Sequence, residues 1–431
     1  MKMGVDSYFH RRISMYYPRT ETKTLQKMAE DFPCIILYGP RQCGKSTMIR
    51  FSFEKSLDYT TLDDIDELAL AKNNAKLFLD SHPWPCVIDE IQKVPELLLE
   101  IKRRIDDQKM LWLKNGEKSQ LMYILTGSNQ FLLQNSISES LAGRAAISEL
   151  NTFSLPETEN REANPFTDDI TKLLQREKEG IVKTKKREDV FQKIFDGGMP
   201  EYICQKPDRN IFFASYIKTY LEKDIRLLIS QGSEATFRSF LSYVALRTAQ
   251  ELHYDELSSA IGVDVKTIKR WLSILEASGI ISFLQPFMKN ASNRIIKAPK
   301  LYFMDTGLCA YLCGWPDSAM LERCAMSGAF FETYVVSEAI KNFQYHGIDY
   351  ENHLFYYRDI DQKEIDIIYY QNQRITPIEI KKGIMPTKPS KNFNILEKYH
   401  LPINTGLILD CTDKIRPINE NVYTVPFQLM F

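Results

Sequence analysis

The chain of 431 residues is long enough for two to four domains, and 44% of its residues are hydrophobic, which suffices for ordinary buried cores. Its 55 basic and 56 acidic residues nearly balance, which excludes a globally basic nucleic-acid-binding protein and requires a local basic face for any such contact. The eight cysteines form no C-x-x-C pair, and the sequence shows neither an apolar leader nor a long apolar segment, so we expect a reduced, cytoplasmic protein with no membrane partner.

The first strong motif lies at residues 39–46, fits G-x-x-x-x-G-K-[ST] and follows the apolar run Cys34–Tyr38. A buried strand, this loop and a helix directly after it are the context of a phosphate-binding loop. Converging backbone N–H groups would hold phosphate oxygens, Lys45 would reach the β- and γ-phosphates, and the Ser46 hydroxyl would bind Mg²⁺. We therefore predict ATP and Mg²⁺ as cofactors. The predicted nucleotide-binding residues are Gly39, Pro40, Arg41, Gln42, Cys43, Gly44, Lys45, Ser46 and Thr47.

A short apolar strand predicted at residues 85–88 ends in two adjacent acids, Asp89 and Glu90. Downstream of a phosphate-binding loop, this pattern is typical of a magnesium-binding strand. We predict that Asp89 holds Mg²⁺ together with Ser46, and that Glu90 polarises the attacking water as general base. An acidic pair after a strand is common by itself, and here the upstream loop gives it meaning.

Two further residues are candidates for contact with the transferred phosphate. A strand predicted at residues 121–125 should lie beside the loop strand, which would bring Ser128, or else Asn129, to the γ-phosphate as a sensor. The alternative is an ordinary Gly-Ser-Asn turn. Arg144 follows a predicted helix and is a candidate arginine finger, acting in its own subunit or in a neighbouring one. The alternative for Arg144 is a structural ion pair.

The middle of the chain predicts a winged helix-turn-helix. A helix at residues 254–262, a tight turn with Asp264 as helix cap, and a helix at residues 265–278 precede two apolar strands, at residues 280–287 and 294–303. The candidate DNA contacts in that layout are Lys266, Thr267, Lys269 and Arg270 on the second helix, with Lys289, Asn293 and Arg294 on the wing. The alternative is a winged helix used for protein contact or for packing between domains.

The C-terminal part predicts secondary structure in the order α-β-β-β-α-β. Asp366 falls on the second strand, and Glu379 and Lys381 fall on the third as E-x-K, so that these last two side chains share one face. Glu332 or Glu338 on the helix would add a carboxylate. Two or three carboxylates would hold Mg²⁺, and the lysine would orient or activate water for attack on a phosphodiester. The alternative is the alternating charge of an ordinary surface strand.

Taken together, these motifs resemble the prokaryotic AAA-plus family ATPases that carry a C-terminal domain of unknown function. The resemblance covers nearly the whole chain. Its carriers are residues 37–46, 88–92, 125–128, 141–144, 197–200, 300–308, 331–332, 364–366 and 378–381. It implies ATP binding and hydrolysis at the loop, and a fold relationship to nucleases in the C-terminal part. Cys43 departs from the small aliphatic residue that is more usual there, and its side chain is expected to point away from phosphate.

The resemblance implies an α/β fold class with three kinds of domain. These are an AAA-like P-loop NTPase domain with a parallel sheet, a winged helix-turn-helix, and a restriction-endonuclease-like α/β domain of the PD-(D/E)XK type. The expected segments are 1–152 for the ATPase, 153–232 for a helical lid that includes a long helix at residues 211–229, 233–303 for the winged helix, and 304–431 for the nuclease-like domain.

The function expected from these parts is a Mg²⁺-dependent ATPase that acts on DNA, with nuclease activity left open. The alternative is a nucleotide-switched regulator or scaffold whose C-terminal domain binds a partner without cleaving nucleic acid. A DNA-translocating motor that assembles as a ring is a third class, which the near-neutral charge disfavours. ATP is the expected ligand, DNA is a candidate partner of the winged helix, and a homo-oligomer is a candidate assembly.

Overall fold

The computed structural model describes residues 16–53, 57–127, 140–221, 234–288, 298–383 and 390–431. The strands form a five-stranded, a three-stranded and a six-stranded sheet in three successive parts of the chain. The predicted α/β class is therefore confirmed. None of the helices within these ranges combines the length and the apolarity that crossing a bilayer requires.

The N-terminal sheet is parallel and has the order β2-β3-β4-β1-β5. Its strands are β1 Cys34–Tyr38, β2 Asp58–Thr61, β3 Cys86–Asp89, β4 Tyr123–Gly127 and β5 Ala145–Glu149. The helices around it are α1 Glu21–Asp31, α2 Lys45–Phe53, α3 Ile65–Asn73, α4 Ala75–Ser81 and α5 Leu97–Asn115. Strands β1, β3 and β4 read as continuous apolar runs because apolar side chains cover both of their faces. Because these strands are parallel, the loop after β1 and the acids after β3 lie at the same end of the sheet, on either side of β4.

Two features of this sheet differ from the sequence interpretation. The sequence predicts a helix at residues 95–107 after the acidic pair, but α5 continues to Asn115 and is followed by Gly116, whose φ of +68° suits glycine. Strand β5 was not predicted, because its burial alternates and its apolar content is low. It pairs in parallel with β1, with Cys34 beside Ala145.

A helical segment joins this sheet to the rest of the chain. It contains α6 Leu155–Thr158, α7 Ile170–Glu179, α8 Arg187–Asp196, α9 Pro200–Gln205 and α10 Arg209–Tyr216, followed by a π-helical turn, Ile217–Leu221. The helix expected at residues 211–229 thus begins at Arg209, and its second half lies outside the described residues.

The middle module has the order α-β-α-α-β-β. Its elements are α11 Glu234–Ala245, β6 Gln250–Glu251, α12 Tyr254–Ile261, α13 Val265–Ala277, β7 Ile281–Leu284 and β8 Lys300–Phe303. The three strands form an antiparallel sheet in the order β6-β8-β7. Asp264 caps α13 as expected, since its carboxylate accepts the Thr267 N–H at 2.9 Å. The apolar stripe Ile268, Leu272 and Leu275 is buried.

The C-terminal module combines a buried helix with a mixed sheet in the order β13-β14-β12-β11-β10-β9. Its helices are α14 Thr306–Leu312, α15 Ser318–Arg323 and α16 Ser327–Tyr345. Its strands are β9 Leu354–Arg358, β10 Glu364–Gln371, β11 Arg374–Ile380, β12 Gly406–Asp410, β13 Arg416–Asn419 and β14 Val422–Pro426. The 3₁₀ segments of this module are Tyr350–Asn352, Phe393–Tyr399 and Phe427–Met430, and a further one in the N-terminal part, Ile91–Lys93, follows β3.

The helical segment, the middle module and the C-terminal module share a large hydrophobic core, and the C-terminal module has a second cluster that includes Ile365 and Phe393. A single cluster of buried apolar side chains extends from Leu155 to Phe431 and includes residues of α8, α13 and α16. The parallel sheet has separate cores on its two faces, although Tyr345 at the end of α16 belongs to one of them. The last turn of α16 therefore packs directly against the parallel sheet.

Arg19 ties these parts together underneath the phosphate-binding loop. Its side chain is buried and donates to the carbonyl oxygens of Cys43 and Asn151, both at 2.7 Å, and to the Tyr345 hydroxyl at 3.2 Å. Its Nε lies 3.1 Å from the carboxylate of Glu157, which is also buried. The guanidinium thus joins the loop, the start of the helical segment and α16.

Arg19→Met is expected to lower the free energy of unfolding by about 3–5 kcal/mol, because it leaves the Glu157 carboxylate buried without its cation. Urea denaturation followed by tryptophan fluorescence would measure the change. Arg103→Met is the matched control, since the Arg103 side chain is 53% exposed and its ion pairs face solvent. Equal denaturation midpoints for the two variants would contradict the joint.

Candidate nucleotide-binding site

The loop between β1 and α2 has a backbone that only particular residues can adopt. Gly39 has φ +154°, and a Cβ there would lie 1.9 Å from the Leu150 carbonyl oxygen, so a side chain does not fit. Gly44 has φ +95° and directly precedes the first turn of α2. Cys43 is completely buried beneath the loop. With these positions the loop leads directly into α2, whose first N–H groups would be the donors to a bound anion.

Lys45 lies inside this loop rather than in solvent. It is 7% exposed, and its Nζ donates to the carbonyl oxygens of Gly39 at 2.8 Å and Pro40 at 3.0 Å. A buried ammonium needs such acceptors. Phosphate oxygens would offer charged acceptors to the same group, and charge-assisted bonds of this kind are stronger.

Ser46 and Asp89 meet at the carboxyl end of the sheet. The Ser46 hydroxyl donates to Asp89 Oδ2 at 3.2 Å, and the Tyr59 hydroxyl donates to the same oxygen at 2.6 Å. The Thr126 hydroxyl donates to the other oxygen, Oδ1. Burial and the bond to Asp89 raise the pKa of Tyr59 to about 12, so it stays a donor. A hydroxyl and a carboxylate side by side are hard oxygen ligands that fit Mg²⁺.

Sequence reasoning missed Tyr59 and Thr126, although a signal existed for Thr126. Thr126 lies one residue before the carboxyl end of β4, and β4 is next to β3 in the sheet. In a parallel sheet the carboxyl ends of neighbouring strands lie together. Tyr59 is the second residue of β2 and contacts Asp89 through its hydroxyl, which its position on the strand did not indicate.

Glu90 stands at a sharp turn after β3. Its φ is +58°, in the left-handed region that residues other than glycine seldom adopt. Its carboxylate accepts a hydrogen bond from the Gln92 side-chain amide and lines the same cavity as Lys45 and Ser46. Such backbone strain concentrates at functional sites. The turn thus places a carboxylate in the cavity that the loop opens into.

The loop opens into a cavity of about 610 Å³. Tyr16 and Phe51 stack at one wall with ring centroids 4.2 Å apart. Helix α9 forms another wall with Pro200, Glu201 and Cys204. The cavity is large enough for a nucleotide. These wall residues come from three distant stretches of chain, and sequence reasoning did not identify them.

The three candidates for contact with the transferred phosphate have different outcomes. Ser128 and Asn129 lie outside the described residues. Arg144 lies away from its own subunit's loop, because it precedes β5, whose first residue Ala145 pairs with Cys34 at the start of β1, whereas the loop follows the end of β1. Its guanidinium instead binds both carboxylate oxygens of Asp106 on α5, at 2.6 and 2.9 Å. The structural ion pair is thus the correct alternative within the chain.

Arg144→Ala is expected to leave the ATP turnover of dilute protein unchanged within about twofold, whereas loss of a working finger costs about 1000-fold or more. Turnover measured across a series of protein concentrations tests this. A loss confined to high concentrations would assign Arg144 to a neighbouring subunit's site, and a loss at every concentration would contradict its placement here.

The candidate DNA contacts lie on the outer face of α13. Lys266, Lys269 and Arg270 are exposed, whereas the Thr267 hydroxyl is held by Asp264 at 2.6 Å. The Lys269 ammonium lies 4.9 Å from the centroid of the Tyr254 ring. The wing residues Lys289, Asn293 and Arg294 lie outside the described residues. The face therefore presents three cations that remain available to a polyanion.

The C-terminal acids come together at an irregularity in β10. The register between β9 and β10 shifts between Ile365 and Ile368, and Asp366 lies at this shift. Glu332, Glu364 and Asp366 each place a carboxylate oxygen within 4.8 Å of the others. Sequence reasoning missed Glu364. It lies two positions before Asp366, and residues at this spacing on a strand share one face, so its position could have indicated it.

Lys381 bridges this group to Glu379, with its Nζ 3.5 Å from Asp366 and 2.5 Å from Glu379. Burial, together with the charge of Asp366, raises the pKa of Glu379 to about 8 and that of Glu332 to about 7. Four of the five predicted residues, Glu332, Asp366, Glu379 and Lys381, are therefore brought together.

Glu338 is not part of this group. Its carboxylate accepts the Leu155 N–H at 2.5 Å and lies 3.2 Å from the Lys341 ammonium, so it joins α16 to the helical segment. The helix turns Glu338 away from Glu332 because six residues do not complete whole turns of 3.6 residues. Its assignment as a nuclease carboxylate was wrong.

Known families match three parts of the chain. Residues 31–159 match a family described as an AAA domain. Residues 187–319 and 327–430 match two domains of unknown function, DUF8612 and DUF4143 respectively. The match over residues 187–319 extends beyond the middle module at both ends, since it begins at α8 and ends within α15.

Uncharacterized proteins of Mycobacterium tuberculosis and Mycobacterium bovis are each 27% identical to this chain over 374 residues, which is 86% of this chain and 75% of theirs. Among solved structures, the Walker-type ATPase of Pyrococcus abyssi is 17% identical and covers 70% of this chain and 97% of its own, with a TM-score of 0.40. The ORC2 protein of Aeropyrum pernix is 13% identical and covers 67% and 92%, with a TM-score of 0.31. The AAA domain match and the loop geometry together support an ATPase of the P-loop, AAA type in residues 31–159.

Proposed function

We propose that this protein is a Mg²⁺-dependent ATPase whose nucleotide state controls the arrangement of its middle and C-terminal modules. One observation carries the proposal. Lys45 and Ser46 lie at the end of a loop whose backbone depends on two glycines, and the Ser46 hydroxyl is bonded to Asp89. The loop opens into a cavity of nucleotide size. In P-loop enzymes, a lysine of this kind binds the phosphates of a nucleoside triphosphate, and a hydroxyl–carboxylate pair binds its metal ion.

Each residue has a distinct task in this proposal. The N–H groups at the start of α2 and the Lys45 ammonium bind phosphate oxygens. Ser46 and Asp89 would hold Mg²⁺, which neutralises charge on the β- and γ-phosphates. Glu90 accepts the proton of the attacking water, and the stacked rings of Tyr16 and Phe51 provide an apolar wall beside the loop.

The test is ATP turnover by the full chain with Mg²⁺, with and without DNA, across a range of protein concentrations. We expect turnover that requires Mg²⁺. No binding of a non-hydrolysable ATP analogue at millimolar concentration would contradict the proposal. Stimulation by DNA would support DNA as the partner, and a rise in specific activity with concentration would support assembly.

Two contacts support control of the distal modules by the nucleotide. Pro200 lines the cavity, and two residues earlier the Gly198 N–H donates to the Asp305 carboxylate at 2.8 Å, just before α14. Arg19 links the Cys43 carbonyl of the loop to Tyr345 of α16. A change in the loop on binding phosphate would therefore act on both connections.

We assign the middle module to the winged helix fold on its element order and its antiparallel sheet. DNA is the proposed ligand of α13, supported by the exposed cations Lys266, Lys269 and Arg270. Replacing these three residues by alanine should abolish any stimulation of ATP turnover by DNA, while basal turnover is retained.

The C-terminal module has the helix and strand order of the restriction-endonuclease-like fold, which we propose as its fold. One observation favours regulation over cleavage as its role, namely that a buried lysine, Lys300, occupies the acid group. A plasmid-cleavage assay with Mg²⁺ or Mn²⁺ distinguishes the two roles, with Asp366→Ala and Lys381→Ala as controls. Cleavage by the parent that both variants lose would support a nuclease, and no cleavage would support a regulator or scaffold.

A further inference from the structure

Lys300 comes from the middle module but lies in the acid group of the C-terminal module. It is 1% exposed, and its ammonium lies 2.8 Å from a Glu332 oxygen and in direct contact with Glu364. Both acids belong to the trio whose oxygens lie within 4.8 Å of one another. The lysine thus contacts two of the three acids of this trio.

Strand β8 holds this lysine in place with a second bond. Tyr302, two residues along the same face of β8, is completely buried and donates its hydroxyl to the same Glu332 oxygen at 2.7 Å. The strand itself is paired on both sides, with β6 and β7. The position of the ammonium therefore follows the position of the middle module.

The acid group contains more carboxylates than ammonium groups. The four carboxylates of Glu332, Glu364, Asp366 and Glu379 contact the ammonium groups of Lys300 and Lys381. Glu379 is 8% exposed, and its Oε2 has no hydrogen-bond partner among the described residues. Arg358, which lies 3.8 Å from Glu364, is closer to Glu251, at 3.2 Å.

We propose that Lys300 is the resident cation of this carboxylate site, and that it excludes a divalent metal ion while β8 is docked. A divalent ion needs several oxygens at about 2.0–2.6 Å. An ion placed between Glu332 and Glu364 at such distances would overlap the Lys300 ammonium and face strong like-charge repulsion. Metal binding by the C-terminal module therefore requires Lys300 to withdraw together with the middle module.

The test is Mn²⁺ binding, followed by the electron paramagnetic resonance signal of free Mn²⁺, with no nucleotide present. Every chain carries Asp89→Asn, so that the phosphate-binding loop lacks its metal carboxylate. We expect the parent to show no Mn²⁺ site that depends on Asp366. Lys300→Met is expected to bind one Mn²⁺ at least tenfold more tightly, and adding Asp366→Asn should abolish this gain. Lys363→Met, on a nearby exposed lysine, is expected to behave like the parent.

Lys300→Met leaves buried carboxylates without their cation, so the folding of the variant is checked by circular dichroism. If it does not fold, a double variant, Lys300→Met with Glu332→Gln, removes one of the unpaired negative charges and leaves Glu364, Asp366 and Glu379 as ligands. This pair is also expected to gain the Mn²⁺ site. An Asp366-dependent site in the parent would overturn the proposal, and so would a folded chain without Lys300 that binds no Mn²⁺.

Discussion

Lys45→Ala is expected to reduce ATP turnover by about 100-fold or more. The Lys45 ammonium is the buried cation of the loop, where it binds the Gly39 and Pro40 carbonyls that phosphate oxygens would replace. Removing one positioned donor from a site of developing negative charge typically costs this much. Turnover at saturating Mg²⁺ would measure the loss of hydrolysis, and binding of a fluorescent ATP analogue would separately measure any loss of nucleotide affinity.

Lys27→Ala is the matched control, because Lys27 is an exposed lysine on α1. We expect wild-type turnover from this variant. If Lys45→Ala kept full activity, hydrolysis would have to occur elsewhere in the chain and the assignment of the loop would fail.

Glu90→Gln is expected to lower turnover by about 100- to 1000-fold while ATP binding changes little. The substitution keeps the size of the side chain and its hydrogen bond with Gln92, but removes the carboxylate that accepts a proton from water. The loop and the Ser46–Asp89 pair remain intact, so the nucleotide should still bind. Single-turnover kinetics with an equilibrium binding measurement would show the separation.

Glu96→Gln provides the comparison, since Glu96 is exposed just before α5. It should leave both quantities unchanged. A Glu90→Gln variant that loses ATP affinity as strongly as turnover would mean that Glu90 holds the nucleotide or its metal rather than activating water.

The phosphate-binding loop and the carboxylate after β3 were predictable from sequence because each depends on neighbouring residues. The glycines at positions 39 and 44 set local backbone angles, and the apolar runs before them set buried strands. The position of β4 beside β1 was also predictable, because a loop of this type implies a particular strand order. Asp264 as a helix cap is a similar case, in which the donor and acceptor lie three residues apart.

Contacts between distant residues were not predictable in this way. Arg144 lies far from its own subunit's loop because the unpredicted strand β5 places it beside the start of β1, whereas the loop follows the end of β1. Arg19 reaches Tyr345 across 326 positions. Lys300 meets Glu332 and Glu364 because a strand of one module packs on the sheet of another. Local motifs specify backbone geometry through adjacent atoms, whereas the choice of partners for a buried charge depends on how whole elements pack.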